Sequence, residues 1–268
     1  MRVLVAGAAG SIGSELVRQL SKDHAVYVLD SNESGLFDLL QPLEGKEVWG
    51  RVGDIRDYKT VQDVFDDFRP QWVFNCAAYK HVPLMEYTPL EAINTNVLGH
   101  YNLLHVAKTW ECVEKFVYIS TDKAVNSHSI MGATKRLGEI LTRNSGKGYT
   151  VVRFGNVLGS RGSVLTVWER QFAAGEPLTI TDERMERYTM TIPEAVGLIL
   201  EATEGGSGGE TIILDMGELK KITDLAAELY PGYPTQITGI RQGETLSEKL
   251  MTEEEEKVAV RKGKFWYI

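Results

Sequence analysis

Cysteine is scarce: Cys76 and Cys112 are the two in 268 residues. Neither sits in a CxxC pair or a Cys/His cluster, which removes the usual ligand sets for a structural or catalytic metal. Cys76, inside "WVFNCAA", reads as a buried thiol. No apolar run reaches 18 residues, so no membrane-spanning helix is expected. The first strand-like run begins at Arg2, leaving no room for a signal peptide. Together these absences predict a soluble, cytoplasmic chain. There is also no Lys/Arg stripe: 29 basic residues face 37 acidic ones, for a net charge of −8. That speaks against a nucleic-acid partner, and the acidic excess needs no explanation beyond solubility. The run "TEEEEK" (252–257) reads as a solvated helix face. Low-complexity blocks are missing too, apart from "EGGSGGE" (204–210), a surface turn.

What the chain does have is alternation. Short β-branched runs at 2–7, 25–30, 47–52, 72–77, 115–120 and 150–155 are separated by helical patterns near 11–21, 34–40, 57–68, 89–111 and around Met131 and Lys135. Repeated β-α-β units of this length predict an α/β fold, a Rossmann-type doubly wound parallel sheet covered on both faces. After residue 155 the rhythm weakens. Helices are expected at 163–174, 193–204 and 222–229, with short strands near 178–180 and 211–214. The division this suggests is a nucleotide-binding domain (1–155) and a smaller, partly interleaved substrate-binding lobe (156–268). That lobe would close over the carboxyl ends of the strands, where ligands bind in open α/β sheets.

The first strand runs into "GAAGSIGSEL". Gly7, Gly10 and Gly13 have G-x-x-G-x-x-G spacing, and Ser11 and Ile12 begin the following helix. Glycines there let the backbone approach a pyrophosphate, and the helix N-terminus supplies N–H donors. Asp30 ends the second strand at the distance suited to an adenosine ribose 2′-OH. No Arg follows it in "LDSNESG", and a carboxylate repels a 2′-phosphate, so NAD is preferred over NADP. Asp54 and Ile55 in "GDIRD" are expected beside the adenine. Ala77, at the end of the fourth run, is expected on the cofactor side.

The run "STDK" places Ser120, Thr121, Asp122 and Lys123 at the mouth of the crevice. Lys135 follows Met131 by one helical turn and is placed to hold nicotinamide ribose hydroxyls. Several long stretches then carry a resemblance: "GSIGSEL", "AAYKHVPLMEYTPLEAINTNVLG", "STDKAV", "MGATKRLGE", "RFGNVLGSRGSV", "RYTMTIPEAV", "LDMG" and "GIRQGETLSEKL". The chain resembles the extended short-chain dehydrogenase/reductases, and within them the UDP-N-acetylglucosamine 4,6-dehydratase family of polysaccharide biosynthesis. The resemblance spans nearly the whole chain. It implies oxidation at sugar C4, loss of water across C5 and C6, and return of hydride to C6. By the same resemblance Asp122 is the acid at the C6 oxygen, Lys123 the base at C5, and Thr121 a hydrogen-bond partner of the C4 oxygen. Lys123 must be neutral to act as base, which burial or a nearby cation such as Lys135 would favour.

Met131 stands where related enzymes have Tyr, and a thioether cannot accept the C4 hydroxyl proton. Part of the family resembled here, including larger membrane-anchored members, also has Met. Asp122 is expected to take that proton directly or through water, with Met131 packing against the nicotinamide. On the substrate side, Arg187 and Arg241 are candidates for the diphosphate of a UDP-sugar. Lys80 is a candidate near the sugar or the nicotinamide, Asn156 is a candidate for the substrate phosphate or sugar, and Glu244 lies in the matching "GIRQGE". "GSRGSV" leads into a helix at Ser163 and Val164, a possible second phosphate cradle. His81 reads as structural. "NSHS" (126–129) and "RQGET" depart from the family's pattern, the latter by losing a cation at Thr245. A nucleotide-sugar 4-epimerase and a non-catalytic nucleotide-binding protein remain as alternatives, and the long helices at about 89–111 and 128–144 are a possible homo-oligomer seam.

Overall fold

The computed structural model describes residues 1–268. Six strands pair in parallel: β1 (Arg2–Ala6), β2 (Ala25–Asp30), β3 (Val48–Val52), β4 (Trp72–Asn75), β5 (Lys115–Thr121) and β6 (Tyr149–Phe154). Their order is β3-β2-β1-β4-β5-β6. The order reverses between β1 and β4, and a crevice opens there at the carboxyl ends. The side-chain period of two divides the core. Val3, Val5, Val26, Val28 and Phe74 face one side, against Leu16 and Val17 of α1 (Ser11–Leu20) and Leu36 and Leu39 of α2 (Glu33–Leu40). Leu4, Ala6, Leu29 and Val73 face the other, against Val61, Val64 and Phe65 of α3 (Tyr58–Phe68). Burial on both faces is what a parallel sheet requires of its strands.

The expected long helix is interrupted. It begins as α4 (Val82–Tyr87) and α5 (Pro89–Ala92), passes through a π-helical stretch (Ile93–Gly99), and ends as α6 (His100–Thr109). Pro83 and Pro89 start the two short pieces, at first-turn positions where the missing N–H has no intrahelical partner to lose. α7 (Ile130–Arg143) follows, its N-terminus capped by Ser129 accepting the Gly132 N–H at 3.1 Å.

Beyond residue 155 the chain divides. β7 (Asn156–Leu158), α8 (Val164–Ala174), β8 (Leu178–Ile180), β9 (Glu186–Arg187) and β10 (Thr189–Thr191) lie off the main sheet. α9 (Ile192–Gly205) returns to cover it through Ala195, Val196 and Ile199. β11 (Thr211–Leu214), expected in the smaller lobe, pairs in parallel with β6 instead. All four of its residues are buried, which suits a sheet interior better than a lobe surface. β12 (Lys220–Lys221), α10 (Ile222–Leu229) and β13 (Thr235–Ile237) complete the lobe around Trp168, Leu178, Ile222 and Leu225. After α11 (Glu253–Val258), β15 (Phe265–Tyr267) pairs antiparallel with β11 and β14 (Val260–Lys262) antiparallel with β15, bringing the main sheet to nine strands. No helix is long and apolar enough to cross a membrane.

Candidate active site

Gly7 has φ +76, and a Cβ there would lie 2.4 Å from the Ala77 nitrogen. A Cβ on Gly13 would lie 2.2 Å from the Gly7 carbonyl oxygen. Only glycine fits either position, so the loop packs flat beneath the start of α1. Gly10 caps that helix without a side-chain hydrogen bond, and its first turn, with Ser11, Ile12 and Gly13, carries no acidic residue. Its N–H groups are left to an anion. Asp30 is fixed by two backbone donors: Oδ2 accepts from Ala9 and Oδ1 from Asn32, each at 2.9 Å. Each oxygen keeps a further lone pair.

Two cavities meet at this loop. One of about 250 Å³ is lined by Asp30, Asp54, Ile55 and Ala77. The other, of about 580 Å³, lies against Ile12, Gly13, the end of β5 and the second lobe. Gly7, Gly10, Cys76 and Arg161 face both. The shape suits a dinucleotide: an adenosine at the Asp30 end, a pyrophosphate over the glycines, and a nicotinamide reaching the larger chamber beside a second ligand. Cys76, expected inside the core, is half-buried on this wall, because its strand has ended at Asn75. Burial pushes its thiol up to about 12.

Thr121 and Lys123 line the larger cavity. Asp122, expected at the mouth beside them, has no exposed surface and is not on the wall. A 3₁₀ turn over Asp122–Ala124 rotates it inward. Its Oδ1 accepts from the Thr121 hydroxyl at 2.9 Å and from Lys123 Nζ at 2.9 Å, while Oδ2 has no partner. Lys123 Nζ also reaches Asn156 Oδ1 at 3.1 Å and faces Glu248 Oε1 at 3.8 Å. The cation electrostatically coupled to Lys123 is Lys80, which burial and Lys123 together push down. Lys80 donates to Ser160 Oγ at 3.2 Å.

Lys135 is buried, donates to the Ile119 carbonyl and lies 4.0 Å over the Tyr118 ring. Burial pushes its ammonium down to about 8, against the pull of Cys76 and Glu139. Met131 is buried on the cavity wall, packed with Val82, Met85 and Ala92. Beneath both, Glu139 accepts from Ser120 Oγ at 2.7 Å and from Arg153 at 2.7 and 2.8 Å. Arg153 also pairs with Glu255 at 2.7 Å. "TEEEEK" is therefore more than a solvated face: Glu255 turns in and ties α11 to this ion pair.

The substrate candidates gather on the far wall. Ser163 caps α8, which starts at Val164; the Ser163 hydroxyl is buried without a partner, and the helix's first turn has no acid. His81 packs its ring against Gly162, where a Cβ would lie 2.5 Å from Cε1. Arg187 faces the cavity, but three of its N–H donors are held by the carbonyls of Glu186, Thr245 and Leu246. It braces the loop that carries Arg241 and Glu244, both on the cavity wall. Glu244 in turn accepts from the Arg241 N–H at 3.1 Å. Sequence reasoning missed Arg161 and Glu248. Arg161 sits inside the quoted "GSRGSV", and its N–H donates to Ser11 Oγ at 3.0 Å across 150 residues. Nothing local distinguishes Glu248 from the exposed acids around it.

The chain matches the family described as polysaccharide biosynthesis protein over residues 3–268. It is 43% identical to the capsular polysaccharide biosynthesis protein CapD of Staphylococcus aureus over 94% of its own length and 45% of that protein's. It thus spans about half of that longer relative. It is 33% identical to a UDP-N-acetylglucosamine 4,6-dehydratase (inverting) of Campylobacter jejuni, covering 94% of this chain and 78% of that one. Among solved structures, Pen from Bacillus thuringiensis superposes with a TM-score of 0.92 at 33% identity, covering 100% of this chain and 87% of that one. The Thermus thermophilus UDP-glucose 4-epimerase, in complex with NAD, gives 0.80 at 25% identity over 95% and 91%.

Proposed function

The chain belongs to the polysaccharide biosynthesis protein family, with the fold of an extended short-chain dehydrogenase/reductase, and we propose that it is a nucleotide-sugar 4,6-dehydratase acting on UDP-N-acetylglucosamine. The observation that carries this is the Thr121–Asp122–Lys123 cluster: a hydroxyl and an amine on the cavity wall, both bonded to one carboxylate behind them. A C4 oxidation alone needs no amine there.

NAD is the proposed cofactor, held by the glycine loop, Asp30, Asp54, Ile55, Ala77 and Lys135; when bound it accepts the C4 hydrogen as hydride and gives it back at C6. The residues supply the protons. With Met131 unable to act as base, the C4 hydroxyl gives its proton to Thr121 Oγ1 as Thr121 passes its own to Asp122 Oδ1. Asp122 is then a carboxylic acid, able to protonate the departing C6 hydroxyl after a rotation of its side chain. Lys123, as a free amine, takes the C5 proton; the C5–H electron pair becomes the C5–C6 double bond as the C6–O bond breaks. Arg241, Glu244, Asn156, Lys80 and the α8 N-terminus at Ser163 and Val164 would hold the UDP-sugar, with Arg187 setting the Arg241 loop. In this reading residues 1–155 bind the cofactor and the lobe formed within 156–268 binds the sugar nucleotide.

Incubation with UDP-N-acetylglucosamine in deuterated water tests this. Loss of one water, with deuterium at C5, is expected by mass spectrometry and proton NMR. A C4 epimer with no water loss would replace the reading with a 4-epimerase, the activity named for the Thermus structure. No conversion of any UDP-hexose would leave a binding protein.

A further inference from the structure

Lys123 poses a problem for the proposed reaction. It must reach C5 as a neutral amine, yet its nearest partner is a buried carboxylate 2.9 Å away, and an ion pair leaves no free lone pair on the nitrogen. A carboxylate beside an ammonium must either lose its charge or receive the proton before the nitrogen can act as base. The relay through Thr121 removes the charge of Asp122 but leaves the proton on Lys123. A second acceptor is required, and it has to touch Lys123 from the cavity side.

Glu248 meets that requirement. It is only 8% exposed, it lines the larger cavity, and its one ionic partner is Lys123, 3.8 Å away. A buried carboxylate without close hydrogen bonds is costly unless something in its surroundings uses it. It also stands on a distinctive segment. Seven residues earlier is Arg241, and between them Thr245 and Leu246 are held by Arg187. A diphosphate taken by Arg241 would draw this loop inward. Closing the gap to the ~2.8 Å of a charge-assisted hydrogen bond takes a shift of roughly 1 Å.

We propose that Glu248 is a positioning residue that accepts the proton of Lys123 when the sugar nucleotide closes the 241–248 loop, setting Lys123 as the C5 base. This rests on the dehydratase reading above. The step balances. The proton moves from Lys123 Nζ to a Glu248 oxygen, and the nitrogen lone pair takes the C5 proton. Water leaves with the proton of Asp122. When Lys123 returns a proton to C5 it recovers its own from Glu248. The starting charges are restored: Asp122 and Glu248 anionic, Lys123 cationic. The arrangement also makes the base available only with substrate in place, because the loop that carries Glu248 carries Arg241.

The test separates this from the reading it rests on. Wild-type enzyme is first shown to lose water from UDP-N-acetylglucosamine; if it does not, the dehydratase reading itself has failed. The purified 4-keto-6-deoxy product is then incubated in deuterated water with wild type, Glu248→Gln, Glu248→Asp and Glu248→Ala. Exchange at C5 reports Lys123 alone, apart from net turnover. Glu248→Gln keeps the shape but not the proton acceptor. Its exchange should fall by about 100-fold, within the range for loss of a general acid–base group, while absorbance near 340 nm still rises on adding substrate because C4 oxidation is intact. Glu248→Asp should restore part of the exchange. Wild-type exchange in Glu248→Gln, with loss only in Glu248→Ala, would overturn the proposal and leave Glu248 a packing residue. Equal loss of the 340 nm signal and of exchange in Glu248→Gln would overturn it too, by showing general damage to the site.

Discussion

At the residue scale, the site is set by which groups are buried and which are merely close. Lys135 is the clearest case. Its pKa of about 8 lies below the ordinary lysine value of 10.5, because burial disfavours the ammonium. The unfolded chain therefore binds the extra proton between those values, and folding stability rises with pH through that window. The slope is at most about 1.4 kcal/mol per pH unit. Above pH 9 the Cys76 thiol, raised toward about 12, acts in the opposite direction, since it ionises first in the unfolded chain. Urea unfolding between pH 8 and 9 should show stability rising with pH in the wild type and flat in Lys135→Met. Thr121 gives a second prediction. Thr121→Val removes the hydroxyl between cavity and Asp122 and should cut C4 oxidation by roughly 10²- to 10⁴-fold. Thr121→Ser should retain it, with absorbance near 340 nm in a single turnover as the measure. A Thr121→Val enzyme that oxidises C4 at the normal rate would rule out the relay.

At the scale of elements, two junctions matter. The first is the glycine loop against α1, where Gly13 packs on the Gly7 carbonyl with no space for a methyl group. Gly13→Ala must push the helix start away from the cofactor. Calorimetric affinity for NAD should drop by roughly 10- to 100-fold, the worth of one hydrogen bond to a charged pyrophosphate oxygen. The fold should lose only the ~1–3 kcal/mol typical of overpacking. The second junction joins β5, β6, α7 and α11 through Ser120, Glu139, Arg153 and Glu255. Arg153 and Glu139 have fully buried side chains. Arg153→Met would leave buried Glu139 with Arg136 as its remaining cation and Ser120 as its remaining buried donor. A loss of about 3–5 kcal/mol is expected in urea titrations, with earlier proteolytic cleavage near residue 250, where the Leu250 carbonyl loses the Arg153 bond.

At the scale of the whole molecule, the second lobe matters for what it brings to the main sheet. Arg161 ties it to Ser11 and Glu248 reaches Lys123, so both cavities are complete only with the lobe in place. Exposed apolar groups also stand on successive helices: Leu84, Tyr87 and Leu90, then Leu98 and Tyr101, then Leu137 and Ile140 on α7. We propose that this face joins two copies of the chain. Leu98→Asp with Tyr101→Asp should convert a dimer in light scattering to a monomer; a wild type that is monomeric at all concentrations refutes the seam.

Much of this was legible in the sequence because it rests on local rules. Strand period, helix period and glycine spacing act over a few residues. They set the six parallel strands, the glycine loop and Asp30, and the exposed alternation of the helices. What they could not set was direction and partnership. Asp122 and Lys123 are neighbours in sequence, yet a single 3₁₀ turn buries one and leaves the other on the cavity wall. Arg187 reads as a phosphate ligand until its donors are found on the 245–246 carbonyls. β11 reads as lobe until the sheet claims it, and Glu255 as surface until Arg153 is beside it. These are contacts between residues 58 to 102 positions apart, and their energies exist only once the chain has folded. The sequence by itself determined the parallel sheet and the chemical groups at its edge. Which of those groups face a ligand, and which hold the others in place, was decided by the tertiary structure, because burial and pairing are properties of position in space.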